Sequence, residues 1–200
     1  MAFTYFFRDI EVLEQAADLL AASPPSFGPI RIWDAGCAFG QEPFSMAILL
    51  AQRMPPEQFL RVQIVATDID VSNRFAEYID SGTYPWDELK RMPHELFIEW
   101  FEAGEKQGTF RLVEPVRSRV RYIRHDLTTL QSPDCGFHMV ISKNTLMHFA
   151  PQQRTDVLAM FARCLHPGGI LVLGQRQDYA EADTSAFEQH PDNGLIFRKR

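Results

Sequence analysis

The sequence has few cysteines, no long apolar run and no excess of positive charge, and each shortage excludes a class of protein. Its three cysteines, Cys37, Cys135 and Cys164, are an odd number without paired spacing, which argues against a disulfide framework and favours a cytoplasmic location. No stretch approaches the ~20 consecutive apolar residues of a membrane span, so we expect no membrane insertion. The net charge of -6 argues against nucleic acid as a partner.

A metal site is not indicated either. Cys135 and His138 have the spacing of half a site, but no second pair of ligands completes it. We therefore expect no bound metal.

The apolar content is enough for one globular domain over residues 1–200. Hydrophobic residues make up 46% of the chain, and 16 of them are phenylalanine. Short apolar runs alternate with segments of helical periodicity, which predicts an α/β fold with a mainly parallel sheet and right-handed crossovers. The predicted strands are 31–35, 61–67, 120–123, 137–141, 170–173 and 195–197.

A strand, a glycine turn and a helix are predicted between residues 31 and 53. Gly36 and Gly40 have no side chain and can take positive φ, so a ligand can approach bare backbone between them. The amides at the start of the following helix would face that ligand. The Gly-x-x-x-Gly spacing is weak by itself, because glycines end many strands, so the other motifs must decide.

Acidic residues follow the second and third predicted strands. Asp68 stands where doubly wound folds hold ribose hydroxyls, and Asp70 could instead cap the next helix. Asp126 repeats the plan of a strand that ends in an acid.

Arg8 and Asp9 precede the first predicted helix. Asp9 is placed to cap that helix. Arg8 has two interpretations, a salt bridge to Asp9 or a position at a pocket mouth where its planar fork holds a carboxylate.

Several motifs occur in an order that is more specific than any one of them. They are Thr4-x-Phe-Phe-Arg8-Asp, Trp33-Asp-Ala-Gly-Cys-Ala-Phe-Gly-Gln-Glu42-Pro-Phe-Ser, Ala66-Thr-Asp68-Ile-Asp, Gly82-x-Tyr84, Lys143-Asn144 with Phe149, and Pro167-Gly-Gly with Leu173-Gly174. Together they resemble the CheR-type chemotaxis receptor methyltransferases, which transfer a methyl group from S-adenosylmethionine to receptor glutamates and leave S-adenosylhomocysteine. The resemblance runs from Thr4 to about Arg200, the length of the catalytic domain.

The resemblance implies a class I S-adenosylmethionine-dependent methyltransferase fold. This is a Rossmann-like, seven-stranded, mainly parallel sheet with a small antiparallel β insertion, which we place at residues 104–120. The family's N-terminal helical domain, which helps to dock receptor helices, is not expected in this chain.

The resemblance also implies a set of site residues by motif position. Glu42 suits the amino group of the cofactor and Asp68 suits its ribose. The residues expected to bind the cofactor are Thr4, Arg8, Gly36, Glu42 and Asp68 with, around the adenine, Asp126, Leu127, Ser142 and Lys143. Arg8 and His148 are the expected catalytic residues, Arg8 by orienting the acceptor carboxylate and His148 by donating a hydrogen bond.

The active-site motif departs from the family pattern. The family's Arg-Asn-x-x-x-Tyr-Phe is Lys143-Asn144-Thr-Leu-Met-His148-Phe149 here, so a histidine replaces the active-site tyrosine. Arg176-Gln177 replaces a Ser-Glu pair, and His138 replaces an acid. The acceptor is expected to be a carboxylate on a protein, possibly a receptor or signalling protein. The alternatives are a regulatory protein that binds the cofactor with little or no turnover, and a methyltransferase for another acceptor.

Overall fold

The computed structural model describes residues 4–200, apart from the side chain of Asp178. The strands are β1 (Ile30–Ala35), β2 (Val62–Asp68), β3 (Thr83–Pro85), β4 (Phe101–Ala103), β5 (Thr109–Leu112), β6 (Val120–Arg124), β7 (Phe137–Ser142), β8 (Leu165–Leu173), β9 (Phe187–His190) and β10 (Asn193–Lys199). The helices are α1 (Ile10–Ala22), α2 (Gln41–Arg53), α3 (Pro56–Phe59), α4 (Phe75–Ser81), α5 (Trp86–Leu89), α6 (His94–Trp100), α7 (Glu114–Arg117) and α8 (Pro151–Cys164).

The main sheet has seven strands in the order β6-β2-β1-β7-β8-β10-β9. The first five are parallel, and β10 runs antiparallel to both of its neighbours. The expected seven-stranded, mainly parallel sheet is therefore confirmed. The strand order reverses at β1, which pairs with β2 on one side and β7 on the other, and ligands bind at such a switch point in open α/β sheets.

The core lies on both faces of the main sheet because side chains of β1 alternate between them. Ile30 and Ile32 join the cluster that includes α1 and α2, whereas Trp33 and Ala35 join the cluster that includes α8. The ring of Trp33 is fully buried and packs edge-on against Phe161 of α8, with ring centroids 5.1 Å apart. These two layers fix β1, and with it the turn that follows.

A second, antiparallel sheet has the order β3-β5-β4, and its extent differs from residues 104–120. It begins at Thr83, earlier than expected. Its first strand, β3, lies at the edge of the small sheet and ends at Pro85, where the missing amide of proline costs no hydrogen bond between strands. Glu114–Arg117 forms α7 instead of a strand, since Pro115 suits a first helical turn. Val120 belongs to the main sheet.

The small sheet is fastened to the glycine turn and to the start of α2. The hydroxyl of Tyr84 in β3 donates to the carbonyl oxygen of Phe39 at 2.8 Å. The side-chain Nε2 of Gln41, the first residue of α2, donates to Oε2 of Glu88 in α5 at 2.8 Å. The first bond joins β3 to the backbone beside Gly40, and the second joins α5, which follows β3, to the start of α2.

The largest differences from the predicted strands concern β8 and β9. β8 begins at Leu165, directly after α8, whereas the apolar run that signalled it begins at Ile170. The strand β9 has one buried apolar residue, Phe187, so it carries no alternation that could have predicted it.

Candidate functional site

A crevice of about 670 Å³ lies at the carboxyl ends of the parallel strands, within the size range of small-molecule sites. Its walls include most of the residues that the sequence singled out, namely Thr4, Arg8, Gly36, Glu42, Asp68, Asp126, Leu127, Lys143 and His148. Ser142 is the exception. Its hydroxyl is fully buried and donates to the carbonyl oxygen of Ala35 at 3.1 Å, which links β7 to β1 beneath the crevice.

The glycine turn is tied to the end of β2. The amides of Gly36 and Cys37 donate to the carbonyl oxygen of Thr67 at 2.8 and 3.0 Å, and the amide of Ala38 donates to Oδ2 of Asp68 at 3.1 Å. These three amides serve the protein's own backbone and carboxylate. The turn therefore borders the crevice as a prearranged wall.

Both the backbone conformation at residue 36 and the close approach of a neighbouring side chain require glycine there. Its φ is 104°, in the left-handed region, and a Cβ at this position would lie 2.1 Å from Oγ1 of Thr145. Thr145 follows β7 and also borders the crevice. The missing side chain at residue 36 thus lets the segment after β7 close against the turn.

Lys143 is a buried cation at the base of the crevice. Its Nζ donates to the carbonyl oxygen of Arg8 at 2.7 Å and lies 3.2 Å from Oε2 of Glu42 and 3.5 Å from Oδ2 of Asp9. The expected side-chain cap by Asp9 is therefore wrong, because this carboxylate faces Lys143 and makes no capping bond to α1. Lys143 holds the N-terminal segment against the first turn of α2.

Carboxyl groups outnumber their partners in this region. Burial raises the pKa of Glu42, although Lys143 and Arg8 oppose the change. Asp34 is fully buried beneath the glycine turn, and neither of its carboxyl oxygens has a hydrogen-bond partner in the described chain. Burial, and then the charge of Glu42, raise the pKa of Asp34 well above its ordinary value. A cation bound nearby would stabilise both groups in their ionised forms.

Asp68 and Asp70 make different contacts. Asp70 accepts from the amides of Arg74 and Phe75, each at 3.0 Å, which confirms it as a cap for α4. Asp68 accepts one amide on each oxygen, from Ala38 and from Asp70, and stays half-buried on the crevice wall. Each carboxylate oxygen can accept a second bond, so Asp68 can still hold a ligand hydroxyl.

Asp126 and Leu127 lie on the wall that follows β6. The hydroxyl and the amide of Thr128 donate to Oδ1 of Asp126 at 2.7 and 2.8 Å, and these bonds lower the pKa of the carboxyl. Leu127 is buried and presents apolar surface. A fixed carboxylate next to an apolar side chain suits a flat ring that carries an amino group.

Arg8 and His148 border the same crevice. Nε of Arg8 lies 3.8 Å from Oδ2 of Asp9, so the salt bridge and the pocket-mouth position occur together. His148 is exposed, in a single helical turn after β7, and its amide donates to the carbonyl oxygen of Thr145 at 3.2 Å.

Further wall residues, including His125, Thr145, Met147 and Phe149, were not among the expected site residues. His125 follows β6, and its only signal was its position just beyond the carboxyl end of a strand. The other three belong to the segment after β7 that carries the active-site motif.

Within residues 4–200, no three His, Cys, Asp or Glu side chains come together as a metal site. No described helix has both the length and the apolarity needed to cross a membrane.

The model of the CheR methyltransferase, SAM binding domain, matches residues 2–193. The chain belongs to the CheR methyltransferase family. Among its relatives, chemotaxis protein methyltransferase 1 of Vibrio cholerae is 32% identical over 98% of this chain and 71% of its own length. Chemotaxis protein methyltransferase 2 of Pseudomonas aeruginosa is 29% identical over 90% of this chain and 64% of its own length.

The CheR match covers only part of the relatives. Against chemotaxis protein methyltransferase 2 of V. cholerae, which is 26% identical, the chain spans 61% of the relative's length. A solved TehB-like SAM-dependent methyltransferase from Corynebacterium glutamicum shares the fold, with a TM-score of 0.50 and 16% identity over 93% of this chain and 85% of that one. The fold is that of the class I methyltransferases, and the cofactor of the family is S-adenosylmethionine.

Proposed function

We propose that this chain transfers the methyl group of S-adenosylmethionine to a glutamate carboxylate of a protein in chemotaxis-type signalling. The observation that carries the proposal is the acidic crevice at the β1 switch point, where Arg8 and Glu42 border the same space in a CheR-family chain. The relatives named above are chemotaxis protein methyltransferases.

The residues present fit S-adenosylmethionine. Glu42 would accept from its amino group and Asp68 from its ribose hydroxyls, while Asp126 and Leu127 would hold the adenine. Burial is the main cause of the raised pKa values of Glu42 and Asp34, and a sulfonium and an ammonium group bound nearby would stabilise their ionised forms. Bound there, the cofactor provides an electrophilic methyl group.

The protein's part in the reaction is to orient and to exclude water. A glutamate carboxylate is already ionised at neutral pH, so no strong general base is required. The guanidinium of Arg8 can hold one carboxylate oxygen and leave the other directed at the reacting carbon. The apolar side chains of Met147 and Phe149 on the crevice wall remove water from the oxygen that attacks. His148 donates the hydrogen bond that the family's tyrosine would donate.

The acceptor is a receptor or another signalling protein, and the proposed location is the cytoplasm. All three cysteines are free thiols, as expected in a reducing compartment.

The test is a methyl-transfer assay with tritiated S-adenosylmethionine and the cytoplasmic fragment of a chemoreceptor from the same genome. A carboxyl methyl ester hydrolyses in mild base and releases volatile labelled methanol, whereas a methylated amine does not. We expect base-labile label on the receptor fragment and none when its methylated glutamates are changed to alanine. Base-stable label, or label on small molecules only, would contradict carboxyl transfer to a protein.

A second function, cofactor binding without turnover, is favoured by His148 in place of the tyrosine. Isothermal titration with S-adenosylmethionine and S-adenosylhomocysteine separates the two functions. Binding of both molecules, with no base-labile label on any protein fraction of the host cell, would favour a regulatory role.

A further inference from the structure

A second, smaller crevice of about 150 Å³ lies at the amino ends of the parallel strands. The crevice with Glu42 and Asp68 lies at their carboxyl ends, on the opposite side of the protein. The smaller crevice is bordered by the end of α1 and by the amino ends of β7 and β8. The residues that matter for its chemistry are His138, His166 and Arg198. None of these has a role in the proposed methyl transfer.

The rings of the two histidines lie side by side at the crevice wall. Their ring centroids are 4.7 Å apart. Nδ1 of His138 accepts from the amide of Arg31 at 3.1 Å, so the proton of the neutral ring resides on Nε2. His166 is exposed.

Positive groups surround this pair, and no acidic residue is among the described side chains that border the crevice. Arg198 borders it directly, and its guanidinium donates to the carbonyl oxygen of Gly168 at 3.3 Å. Burial lowers the pKa of His138, and the neighbouring His166, Arg31 and Arg61 lower it further, against the hydrogen bond from the Arg31 amide, which raises it. The nearby carboxylate of Asp134 is paired with Arg31.

We propose that this crevice binds a phosphate-type anion, either free phosphate or the phosphate of a small phosphomonoester. Two imidazole N–H groups and a guanidinium are donors that match phosphate oxygens. The volume admits a phosphate group with a short organic stem and is too small for a nucleotide. Because the site is at the amino ends of the strands, the proposal stands or falls independently of the methyl acceptor.

Histidine NMR tests the proposal on the full chain. The protein is labelled with ¹³C at histidine Cε1 and titrated near pH 6.5 with sodium phosphate, with glycerol 1-phosphate, and with sodium chloride at matched ionic strength. We expect saturable shifts of the His138 and His166 signals with a phosphate compound and none with chloride. His94, which is exposed on α6, is the internal control.

Variants of exposed residues show whether these side chains bind the anion. His166→Gln and Arg198→Gln should each weaken phosphate binding by about tenfold, the scale of one charged hydrogen bond. His94→Gln and Arg163→Gln, exposed elsewhere, should leave it unchanged. If only glycerol 1-phosphate gives saturable shifts, the ligand is a phosphomonoester. If both compounds do, free phosphate is enough for binding. Shifts no larger than those with chloride, or unchanged affinity in both crevice variants, would overturn the proposal.

Discussion

Nζ of Lys143 lies 3.2 Å from Oε2 of Glu42, and both side chains are largely withdrawn from water. The same Nζ donates to the carbonyl oxygen of Arg8. One cation therefore joins the end of β7, the first turn of α2 and the N-terminal segment that carries Arg8. The geometry of the crevice depends on this single ammonium group.

Removing that ammonium group should destabilise the protein strongly. Lys143→Met leaves the carboxylates of Glu42 and Asp9 without their buried partner, and we expect the free energy of unfolding to fall by about 3 kcal/mol. Urea unfolding at pH 8 measures the loss. Lys90→Met, which removes an exposed pair with Asp87, is the control and should cost less than about 1 kcal/mol. Equal losses in the two variants would show that the Lys143 cluster is not a buried ionic centre.

Asp34 should make the protein less stable as the pH rises. Its pKa is raised in the folded state by burial and by Glu42, so the folded protein keeps this proton at a pH where the unfolded chain has lost it. The contribution of this carboxyl group to the free energy of unfolding is fully present below the pKa that the group has in the unfolded chain. It is lost as the pH rises through the pKa of the folded state.

Asp34→Asn cannot ionise, so its stability relative to the natural protein should increase from pH 5 to pH 8, with a slope of up to about 1.4 kcal/mol per pH unit. Urea unfolding across this range measures the difference, with the exposed Asp80→Asn as control. A difference that does not change with pH would contradict the buried, proton-retaining state of Asp34.

A methyl group at residue 36 should damage both the fold and the crevice. Gly36→Ala meets Thr145 and forces a left-handed alanine, so we expect a loss of about 2 to 4 kcal/mol from backbone strain and overpacking together. Gly108→Ala is the matched control, since its φ is 76° but nothing lies within 4 Å of an added Cβ. It should lose only about 1 kcal/mol.

The position of Gly36 also predicts a ligand effect. Titration calorimetry should show weaker S-adenosylmethionine binding for Gly36→Ala and unchanged binding for Gly108→Ala. The double variant Gly36→Ala/Thr145→Ala should recover part of the lost stability, because the contact is shared. If the double variant recovers no stability, the loss in Gly36→Ala comes from backbone strain and not from the contact with Thr145.

His148 should affect turnover more than cofactor binding. His148→Phe removes the hydrogen-bond donor, and we expect kcat for methyl transfer to fall by about 10²-fold. His148→Tyr restores a donor and should restore most of the rate, while His94→Phe should match the natural protein. An unchanged rate in His148→Phe would remove His148 from the reaction.

Much of the fold could be predicted, because hydrophobic periodicity and turn residues are properties of short stretches of sequence. The strand, glycine turn and helix around Gly36 follow from periodicity and from two residues without side chains. The strand β9 could not be predicted because its residues carry no apolar alternation, although it pairs with β10, the next strand along the chain. The start of the small sheet at Thr83 could not be predicted because it depends on pairing with β5, which follows α5, α6 and β4 in the sequence.

The site was predicted only as a set of neighbours. The motifs predicted that Glu42, Asp68 and Lys143 border one crevice. The partner of a buried charge, however, depends on the tertiary structure and could not be predicted from the motifs. Lys143 meets Arg8 from 135 positions away along the chain. The lone carboxyl of Asp34 had no signal at all, because an acid at the end of a strand is common whether or not it finds a partner.

The bond from Tyr84 to Phe39 ties β3 to the glycine turn, and the side-chain bond from Gln41 to Glu88 ties α2 to α5. A displacement of β3 would therefore also move the carbonyl of Phe39, in the backbone that borders the crevice.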